Sequence, residues 1–404
     1  MIIGIDASRA NIKHKTGTEW YSFYLIKNLA EIDRTNTYWL YLNKPPRPEL
    51  IEAIKDNPNF YFKLLHWPLA SFWTLGRLTW EMLWRRPDIL FVPAHALPLL
   101  SPSKTVNTIH DVAFRREHNL YRSIKVKTLF PSSRPLIDLF VRTLTLGKYR
   151  SESVDYLHWS TIFALRHAKK IITVSEFTKK EILELYPKDI SAAKIEVVHN
   201  GYNNKAYRPI DDPIKTAEVL AKYSLAAPYL LCVGRLEKKK NTATLVEAFA
   251  ILKEDHPEID IKLLLIGDAG FGYDEVLYAI EEFDLESRVQ IPGWVKEEDM
   301  PYVFNAASAF IFPSKHEGFG IPVLQALGCG LPAAVSDLPV LREVAGEAAL
   351  YFNQNDKAAI AAAMYRIISD QALRDSLRAK GLARAQEFSW RRCTVETLAL
   401  FKSL

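Results

Sequence analysis

The sequence predicts an α/β protein built from two doubly wound parallel sheets. Its 404 residues exceed one ordinary domain and suit two domains of about 200 residues each. Short apolar runs rich in Ile, Val and Leu alternate with segments of helical periodicity, as in parallel strands that helices cover on both faces. Glycine or polar residues follow these runs, at the carboxyl edge where such sheets bind ligands.

The apolar runs form two series along the chain. The first is 2–5, 38–42, 89–92, 105–109, 170–174 and 195–198, and the second is 229–233, 261–266, 289–291, 309–312 and 332–334. Prolines in the stretch 207–213 indicate a linker between the series. We therefore expect an N-terminal domain at 1–205 and a second domain at 206–385, which face each other across a central cleft.

The cysteines and the hydropathy of the chain indicate the cellular compartment of the protein. Cys232, Cys329 and Cys393 lie far apart, which argues against a zinc site or a disulfide framework and fits a reducing compartment. The start MIIGIDASRA lacks the features of a signal peptide, and no apolar run approaches the 18 residues of a membrane span. We expect a cytoplasmic protein, with peripheral attachment to the inner face of the membrane as an option.

Positive charge is concentrated in the first half of the chain. Residues 1–205 hold 30 Lys and Arg against 19 Asp and Glu, and residues 115–180 hold 14 against 5. Such a surplus implies an acidic partner, and the lack of a nucleic-acid-binding motif argues against nucleic acid. The stretch 115–166 interleaves basic with apolar residues, which suits an anionic bilayer. A solvated insertion with a packed underside is the alternative.

Four tryptophans, Trp67, Trp73, Trp80 and Trp84, cluster before the run at 89–92. Trp80 and Trp84 share a helix face because they are four residues apart. We expect these side chains to pack against the core. A membrane-interface contact is the alternative, since tryptophan favours that zone.

The motif VGRLEKKKN places Arg235 and Lys240 just after an apolar run. Arginine offers a fork to phosphate oxygens and lysine a point charge, so the pair suits a diphosphate. A solvated basic turn is the alternative.

The motif HEGFGIPV brings a carboxylate and a Gly-rich turn together. Gly318 and Gly320 let the backbone pass close to a ligand, and the helix that follows offers its amides to an anion. Glu317 would repel that anion but can accept hydrogen bonds from hydroxyls. A ligand with both hydroxyls and phosphate is a nucleotide sugar. A capped turn with an exposed acid is the alternative.

The motif IHDVAF places His110 at another strand end, where it could meet a sugar hydroxyl or remain a structural histidine. No DxD triplet or metal-ligand spacing occurs, and GDAGFG lacks the GxGxxG spacing of a nicotinamide site. We expect no metal and no cofactor.

These motifs together resemble the retaining glycosyltransferases of family 4, which have the GT-B fold. The resemblance covers nearly the whole chain through TGTEWYSFYLIKNL, IHDVAF, TVSEFTKKEI, VVHNGYN, VGRLEKKKN, HEGFGIPVLQALGCG, EVAGEAALYF and ARAQEFSW. Within the family, the residues of these motifs are most similar to those of the bacterial branch of transferases that build surface polysaccharides. The resemblance implies a helix at about 386–404 that crosses back onto the N-terminal domain.

The resemblance also implies roles for single residues. Gly17 would lie near the donor diphosphate and the acceptor, and His110 would contact the transferred sugar. Arg235 and Lys240 would hold the leaving diphosphate. Glu317 would bind a hydroxyl of the donor sugar, while the turn Gly318, Phe319 and Gly320 would present backbone amides.

Two positions depart from the family pattern. Glu19-Trp20 stands where the polysaccharide branch often has glycine followed by a basic residue, which bears on acceptor selection more than on the reaction. The family's second glutamate, which usually grips the ribose, is Gln325 here. Glutamine can accept a hydrogen bond but carries no charge. The resemblance implies transfer of a hexose to a lipid-linked or polysaccharide acceptor. The similarity to the bacterial branch implies that the hexose is mannose and that the donor is GDP-mannose. A catalytically impaired nucleotide-sugar-binding subunit is the alternative that Gln325 raises.

Overall fold

A computed structural model of the chain describes residues 1–67, 73–94, 96–116 and 153–404. These residues form two compact units: residues 1–200 with 390–404, and residues 201–389. Each unit is built on one sheet whose paired strands all run parallel. The predicted α/β fold with two doubly wound sheets is confirmed.

The first sheet has the strand order β3-β2-β1-β4-β5-β6-β7. Its strands are β1 (Ile2–Asp6), β2 (Thr37–Leu42), β3 (Phe60–Leu64), β4 (Ile89–Val92), β5 (Thr105–Ile109), β6 (Lys170–Thr173) and β7 (Ile195–Val197). β4 and β5 are buried at every residue, as expected of strands covered on both faces.

The second sheet has the strand order β10-β9-β8-β11-β12-β13. Its strands are β8 (Tyr229–Val233), β9 (Lys262–Ile266), β10 (Val289–Gly293), β11 (Ala309–Phe312), β12 (Ala333–Ser336) and β13 (Ala349–Phe352). The order reverses between β8 and β11, which makes this pair the topological switch point of the sheet.

Helices connect and cover the strands in the described part of the chain. They are α1 (Gly17–Ile32), α2 (Pro48–Ile54), α3 (Thr79–Trp84), α4 (Ala113–Arg116), α5 (Ser153–His167), α6 (Glu176–Leu185), α7 (Pro213–Lys222), α8 (Thr242–Asp255), α9 (Tyr273–Glu282), α10 (Met300–Ala306), α11 (Ile321–Gly328), α12 (Pro339–Ala345), α13 (Lys357–Ser369), α14 (Gln371–Ala385) and α15 (Trp390–Lys402). A π-helical turn, Thr74–Leu78, precedes α3. Asp356 and Asp370 cap the N-termini of α13 and α14, where their side chains accept hydrogen bonds from first-turn amides.

The last helix, α15, belongs to the first unit and packs on α1. Its first residue, Trp390, is buried and stacks on Tyr24 with ring centroids 5.5 Å apart. The stretch predicted as a linker packs instead on the second unit. The hydroxyl of Tyr207 donates to Glu297 at 2.9 Å, and the amide of Ile210 donates to Asn305 at 2.9 Å.

The tryptophan cluster divides into inner and outer pairs. Trp73 is buried and Trp67 packs partly buried against the core of the first unit, as expected. Trp80 and Trp84 are 61% and 75% exposed, so the prediction of core packing is wrong for these two.

The basic stretch 115–166 lies mostly outside the described residues, since 117–152 are not described. At its described ends, Arg116 contacts Glu181 and Glu184 at 2.7 Å each, and Arg166 contacts Asp189 at 2.7 Å. Membrane docking by this stretch stays a prediction. Among the described helices, none combines the length and the apolarity that crossing a bilayer requires.

Gly267→Ala is expected to destabilise the second unit by about 3 kcal/mol. Gly267 follows β9 with a φ of +146°, and a Cβ there would collide with the carbonyl oxygen of Gly234. Gly293→Ala is the matched control, because φ is +77° but nothing lies within 4 Å of a Cβ. It should show only backbone strain of about 1 kcal/mol. Urea unfolding compares the variants, and equal losses would contradict the collision.

Candidate active site

The carboxyl ends of β8 and β11 lie side by side, because the two strands pair directly. At such a switch point the chain leaves the neighbouring strands in opposite directions, which opens a crevice for a ligand. The loop after β8 carries Arg235 and Lys240, and the loop after β11 carries Glu317. The amide of Lys315 donates to the carbonyl of Lys239 at 2.9 Å and ties the two loops together.

Lys240 and Glu317 form an ion pair that is largely buried. Nζ of Lys240 lies 2.5 Å from Oε1 of Glu317, and the two side chains are only 19% and 10% exposed. The ammonium also lies 5.1 Å from the ring centroid of Phe312, the last residue of β11. An ammonium has three donors, so Lys240 can hold Glu317 and a phosphate oxygen together.

The charge of Glu317 follows from this environment. Burial disfavours the carboxylate and by itself would raise its pKa. The positive charges of Lys240 and Lys239 and the hydrogen bonds to the carboxylate together outweigh burial, so the pKa of Glu317 lies below its ordinary value of 4.5. Glu317 is therefore ionised at neutral pH and accepts hydrogen bonds, as a group that binds sugar hydroxyls must.

Arg235 lies in the same loop as Lys240 but is 55% exposed. Its Nη1 is 3.9 Å from Oε2 of Glu237, which is too long for a hydrogen bond. Its stem passes over Gly270, where a Cβ would come within 2.8 Å of Cγ and Cδ of the arginine. The guanidinium fork is thus accessible for a bidentate contact with phosphate.

The Gly-rich turn 318–320 leads from Glu317 into α11. Gly320 has a φ of +103°, and a Cβ there would lie 2.9 Å from Cδ2 of Leu341, so the position requires glycine. Gly320 also leaves the first turn of α11 without a side-chain cap. The positive end of the helix dipole therefore points into the loop that carries Glu317.

Phe319 contributes its backbone and not its ring to this turn. The side chain is 3% exposed, and its ring packs edge to face on Phe388 with centroids 5.8 Å apart. Gln325 lies in the second turn of α11 and is half-buried. Position 325 thus belongs to the helix that the Gly-rich turn opens.

In the first unit, His110 follows β5 directly. Its Nε2 lies 3.0 Å from the carbonyl oxygen of Pro93, which follows β4. Because a carbonyl only accepts, Nε2 carries a hydrogen. The ring of Tyr21 meets the imidazole edge to face at 4.9 Å, and the Tyr21 hydroxyl is 3.1 Å from Thr108 Oγ1. These contacts fix the orientation of the imidazole.

Gly17 is the first residue of α1, and nothing lies within 4 Å of a Cβ built there. The turn before it is held by a capping box, in which the amide of Thr16 donates to the Glu19 carboxylate at 3.2 Å. Glu19 is 8% exposed and also lies 3.4 Å from Arg9. The helix start beside Gly17 is therefore rigid, with open space next to the glycine.

The structure brings Arg235, Lys240 and Glu317 to one switch point, with the turn 318–320 and position 325 on the adjoining helix. His110 and Gly17 lie in the other unit. Among the described residues, no group of three or more His, Cys, Asp and Glu side chains could hold a metal ion.

Two supporting residues were not predicted. Phe312 lies beneath Lys240, and Asn241 ends the Lys-rich turn in the left-handed conformation, where its Nδ2 donates to the Gln354 carbonyl at 2.7 Å. Asparagine tolerates this conformation, so its place after three lysines was a usable signal. Phe312 has no such signal, because it looks like any other apolar strand residue.

Two doubly wound units of this kind make up the GT-B fold. Residues 15–205 match the family model described as Glycosyltransferase Family 4, and residues 222–384 match the model described as Glycosyl transferases group 1. The chain belongs to the family 4 glycosyltransferases. The resemblance inferred from the sequence motifs is confirmed.

Two relatives from Escherichia coli have names that describe mannosyl transfer. The O-antigen chain mannosyltransferase B is 35% identical over 256 residues, which are 63% of this chain and 65% of that protein. The serotype-specific mannosyltransferase WbdA is 28% identical over 225 residues, 55% of this chain and 27% of that protein. The chain thus spans less than two thirds of the length of these relatives.

The fold is also similar to that of solved structures. The crystal structure of Anabaena HepE in complex with UDP and glucose matches with a TM-score of 0.71 and 17% identity, and covers 100% of this chain and 99% of that chain. At this identity the likeness concerns the fold.

Proposed function

We propose that this protein is a retaining glycosyltransferase that moves a hexose from a nucleotide sugar to a glycan or lipid-linked acceptor. The buried pair Lys240–Glu317, beside the accessible Arg235, carries the proposal. It combines cations that suit a diphosphate with a carboxylate that suits hydroxyls. A ligand that uses both kinds of group has both phosphates and hydroxyls.

The reaction forms a bond from the acceptor oxygen to the anomeric carbon and breaks the bond to the diphosphate. Negative charge grows on the leaving oxygen, and Arg235, Lys240 and the start of α11 stabilise it electrostatically. In a front-face attack the diphosphate oxygen takes the proton of the acceptor hydroxyl. We assign a hydroxyl of the donor sugar to Glu317 and, as the resemblance implies, a contact with the transferred sugar to His110. No metal is needed in this scheme.

We infer that the donor is GDP-mannose and that the product belongs to a cell-surface glycan. The names of the two E. coli relatives support mannose. An acceptor of this kind is presented at a membrane, so we place the enzyme peripherally on its cytoplasmic side.

A donor panel tests the proposal. GDP-mannose, UDP-glucose and dTDP-sugars are compared by thermal shift, since a ligand that binds only the folded state raises Tm, and by nucleoside diphosphate release with acceptor. Binding and release with one donor support a transferase. Binding without release under all conditions would favour the impaired subunit that Gln325 suggests, and no shift with any donor would overturn both.

Gln325→Glu is expected to tighten donor binding by about 1 kcal/mol, a several-fold change in affinity. A carboxylate at this position would accept charge-assisted hydrogen bonds from the ribose hydroxyls, which are stronger than neutral ones. The gain should lower KM with little change in kcat. Steady-state kinetics with the matched donor measures it, with Gln325→Leu as the variant that removes both hydrogen-bonding groups. Unchanged affinity in Gln325→Glu would show that position 325 does not face the ribose.

A further inference from the structure

Helix α3 turns an apolar face to solvent. Trp80, Leu83 and Trp84 are 61%, 46% and 75% exposed, and they share one face because they are three and four residues apart. The indole rings of Trp80 and Trp84 lie 6.5 Å apart. Apolar residues of this size are seldom exposed together without a binding role.

The exposed face continues onto the loop before β5. The amide of Leu99 donates to Thr79 Oγ1 at 2.8 Å, which holds this loop against the first residue of α3. Leu99 and Leu100 are 47% and 44% exposed. We call Trp80, Leu83, Trp84, Leu99 and Leu100 the apolar patch.

The charge beside the apolar patch is positive. Arg85 and Arg86 follow Trp84 directly and are exposed, and within the described ranges neither forms an ion pair with a carboxylate. Arg77 at the other end of the helix is neutralised by Glu81 at 3.0 Å. The uncompensated charge therefore lies at the Trp84 end of the patch, which complements an anionic surface.

The apolar patch lies beside the helix segment that starts at the carboxyl edge of the first sheet. Oγ1 of Thr74, the first residue of the π-helical turn, is 3.4 Å from Oδ2 of Asp6, the last residue of β1. His110 follows β5 at this same edge of the sheet. From this edge the helical segment runs toward the amino edge of the sheet, where the amide of Ile2 donates to Asp88 Oδ2 at 2.7 Å, so the Trp84 end of the patch lies nearer the amino edge.

We propose that the apolar patch docks the first unit on an anionic lipid bilayer. Indole rings prefer the zone between headgroups and acyl chains, leucines add apolar area to it, and guanidiniums reach anionic headgroups. A protein partner is less suited, since the patch is one short helix face and a loop, whereas stable protein interfaces use about 20 to 30 residues a side. The proposal rests on the proposed function in one respect, the lipid-linked acceptor.

Co-sedimentation of the full chain with vesicles tests the docking. The vesicles contain phosphatidylcholine alone or with 30% phosphatidylglycerol, a composition chosen for the test. Trp80→Ala/Trp84→Ala should weaken partitioning to the anionic vesicles by about tenfold or more. Arg85→Gln should weaken partitioning to the anionic vesicles about fivefold. It should not change partitioning to vesicles of phosphatidylcholine alone.

Tyr278→Ala is the matched control, because Tyr278 is 65% exposed on the second unit. It should not change partitioning. Absence of binding by the natural chain, or equal binding by Trp80→Ala/Trp84→Ala, overturns the proposal. The proposal is also overturned if, without vesicles, the natural chain is a dimer and Trp80→Ala/Trp84→Ala is a monomer, because the patch would then be a protein interface.

Donor binding separates this proposal from the proposed function. Trp80→Ala/Trp84→Ala should give the same thermal shift with the nucleotide sugar as the natural chain when no vesicles are present. If the natural chain binds vesicles through the patch but shows no shift with any donor, the docking stands and the proposed function fails.

Discussion

Arg235→Ala is expected to lower kcat by a factor of about 10² to 10³, as removal of one donor to developing charge does elsewhere. The guanidinium is 55% exposed and makes no hydrogen bond to Glu237 at 3.9 Å, so its loss should leave the free energy of unfolding within about 0.5 kcal/mol. A large kinetic effect without a stability effect is the signature of a group that acts on the ligand. Steady-state kinetics and urea unfolding of the same preparation measure the two quantities.

Lys238→Ala is the matched control for Arg235→Ala. Lys238 belongs to the same turn, but its ammonium lies 2.5 Å from Glu275 and over the ring of Phe271, contacts that involve neither Lys240 nor Glu317. Its removal takes one positive charge from the loop and should change kcat by less than about threefold. If both variants lose activity equally, the loop acts through its total charge. If neither does, Arg235 has no part in the reaction.

The strands at the centre of each sheet could be predicted from the sequence, because burial on both faces makes them continuous apolar runs. The edge strands β3 and β13 were not predicted. β3 leaves Tyr61 and Leu64 exposed and includes Lys63, so it has no continuous run of buried apolar residues. Edge strands contact only one neighbour, and fewer of their side chains need to be apolar.

Helix α3 shows why spacing alone does not decide which face is buried. Trp80 and Trp84 are four residues apart, but so are Leu78 and Met82, and both of these are fully buried. The spacing states only that each pair shares a face. The smaller side chains of Leu78 and Met82 lie on the core side of the helix, and the larger indole rings face solvent.

In the candidate site, the residue types were predicted but not their contact. Lys240 and Glu317 are separated by 77 positions, and the sequence assigned one to phosphate and the other to a hydroxyl. The parallel pairing of β8 with β11 brings their loops together, and no local pattern encodes that pairing. The ion pair is what makes the carboxylate tolerable in a buried place.

Lys240→Met is expected to destabilise the second unit by about 3 kcal/mol or more at neutral pH, because it leaves the buried Glu317 carboxylate without its partner. Methionine keeps an apolar stem over Phe312, so the loss reports on charge and not on packing. Turnover should fall by about 10² as well, since a donor to the diphosphate is removed. Hydrogen exchange of peptides from β11 and α11 gives the stability of this unit separately from the first.

The stability that Lys240→Met loses relative to the natural chain should depend on pH, and the direction of this dependence follows from the pKa of Glu317. In the natural chain the pKa of Glu317 lies below 4.5, so the pair stabilises the fold above that pH and the contribution is lost as pH falls through the folded pKa. In Lys240→Met burial raises the pKa of the carboxyl, so the variant loses stability as pH rises. The difference between the two proteins should therefore be larger at pH 8 than at pH 5. Glu297, whose pKa burial raises to about 7, affects both proteins alike and cancels in the difference.

The double variant Lys240→Met/Glu317→Gln separates stability from catalysis. It removes both charges, so most of the stability lost in Lys240→Met should return and the pH dependence of the deficit should vanish. Activity should not return, because both the donor to the diphosphate and the acceptor for the sugar hydroxyl are gone. Glu317→Gln alone should lower kcat with a smaller loss of stability, since the lysine stem can turn its ammonium to water. A double variant as unstable as Lys240→Met, or a deficit independent of pH, would show that the ion pair does not set the charge of Glu317.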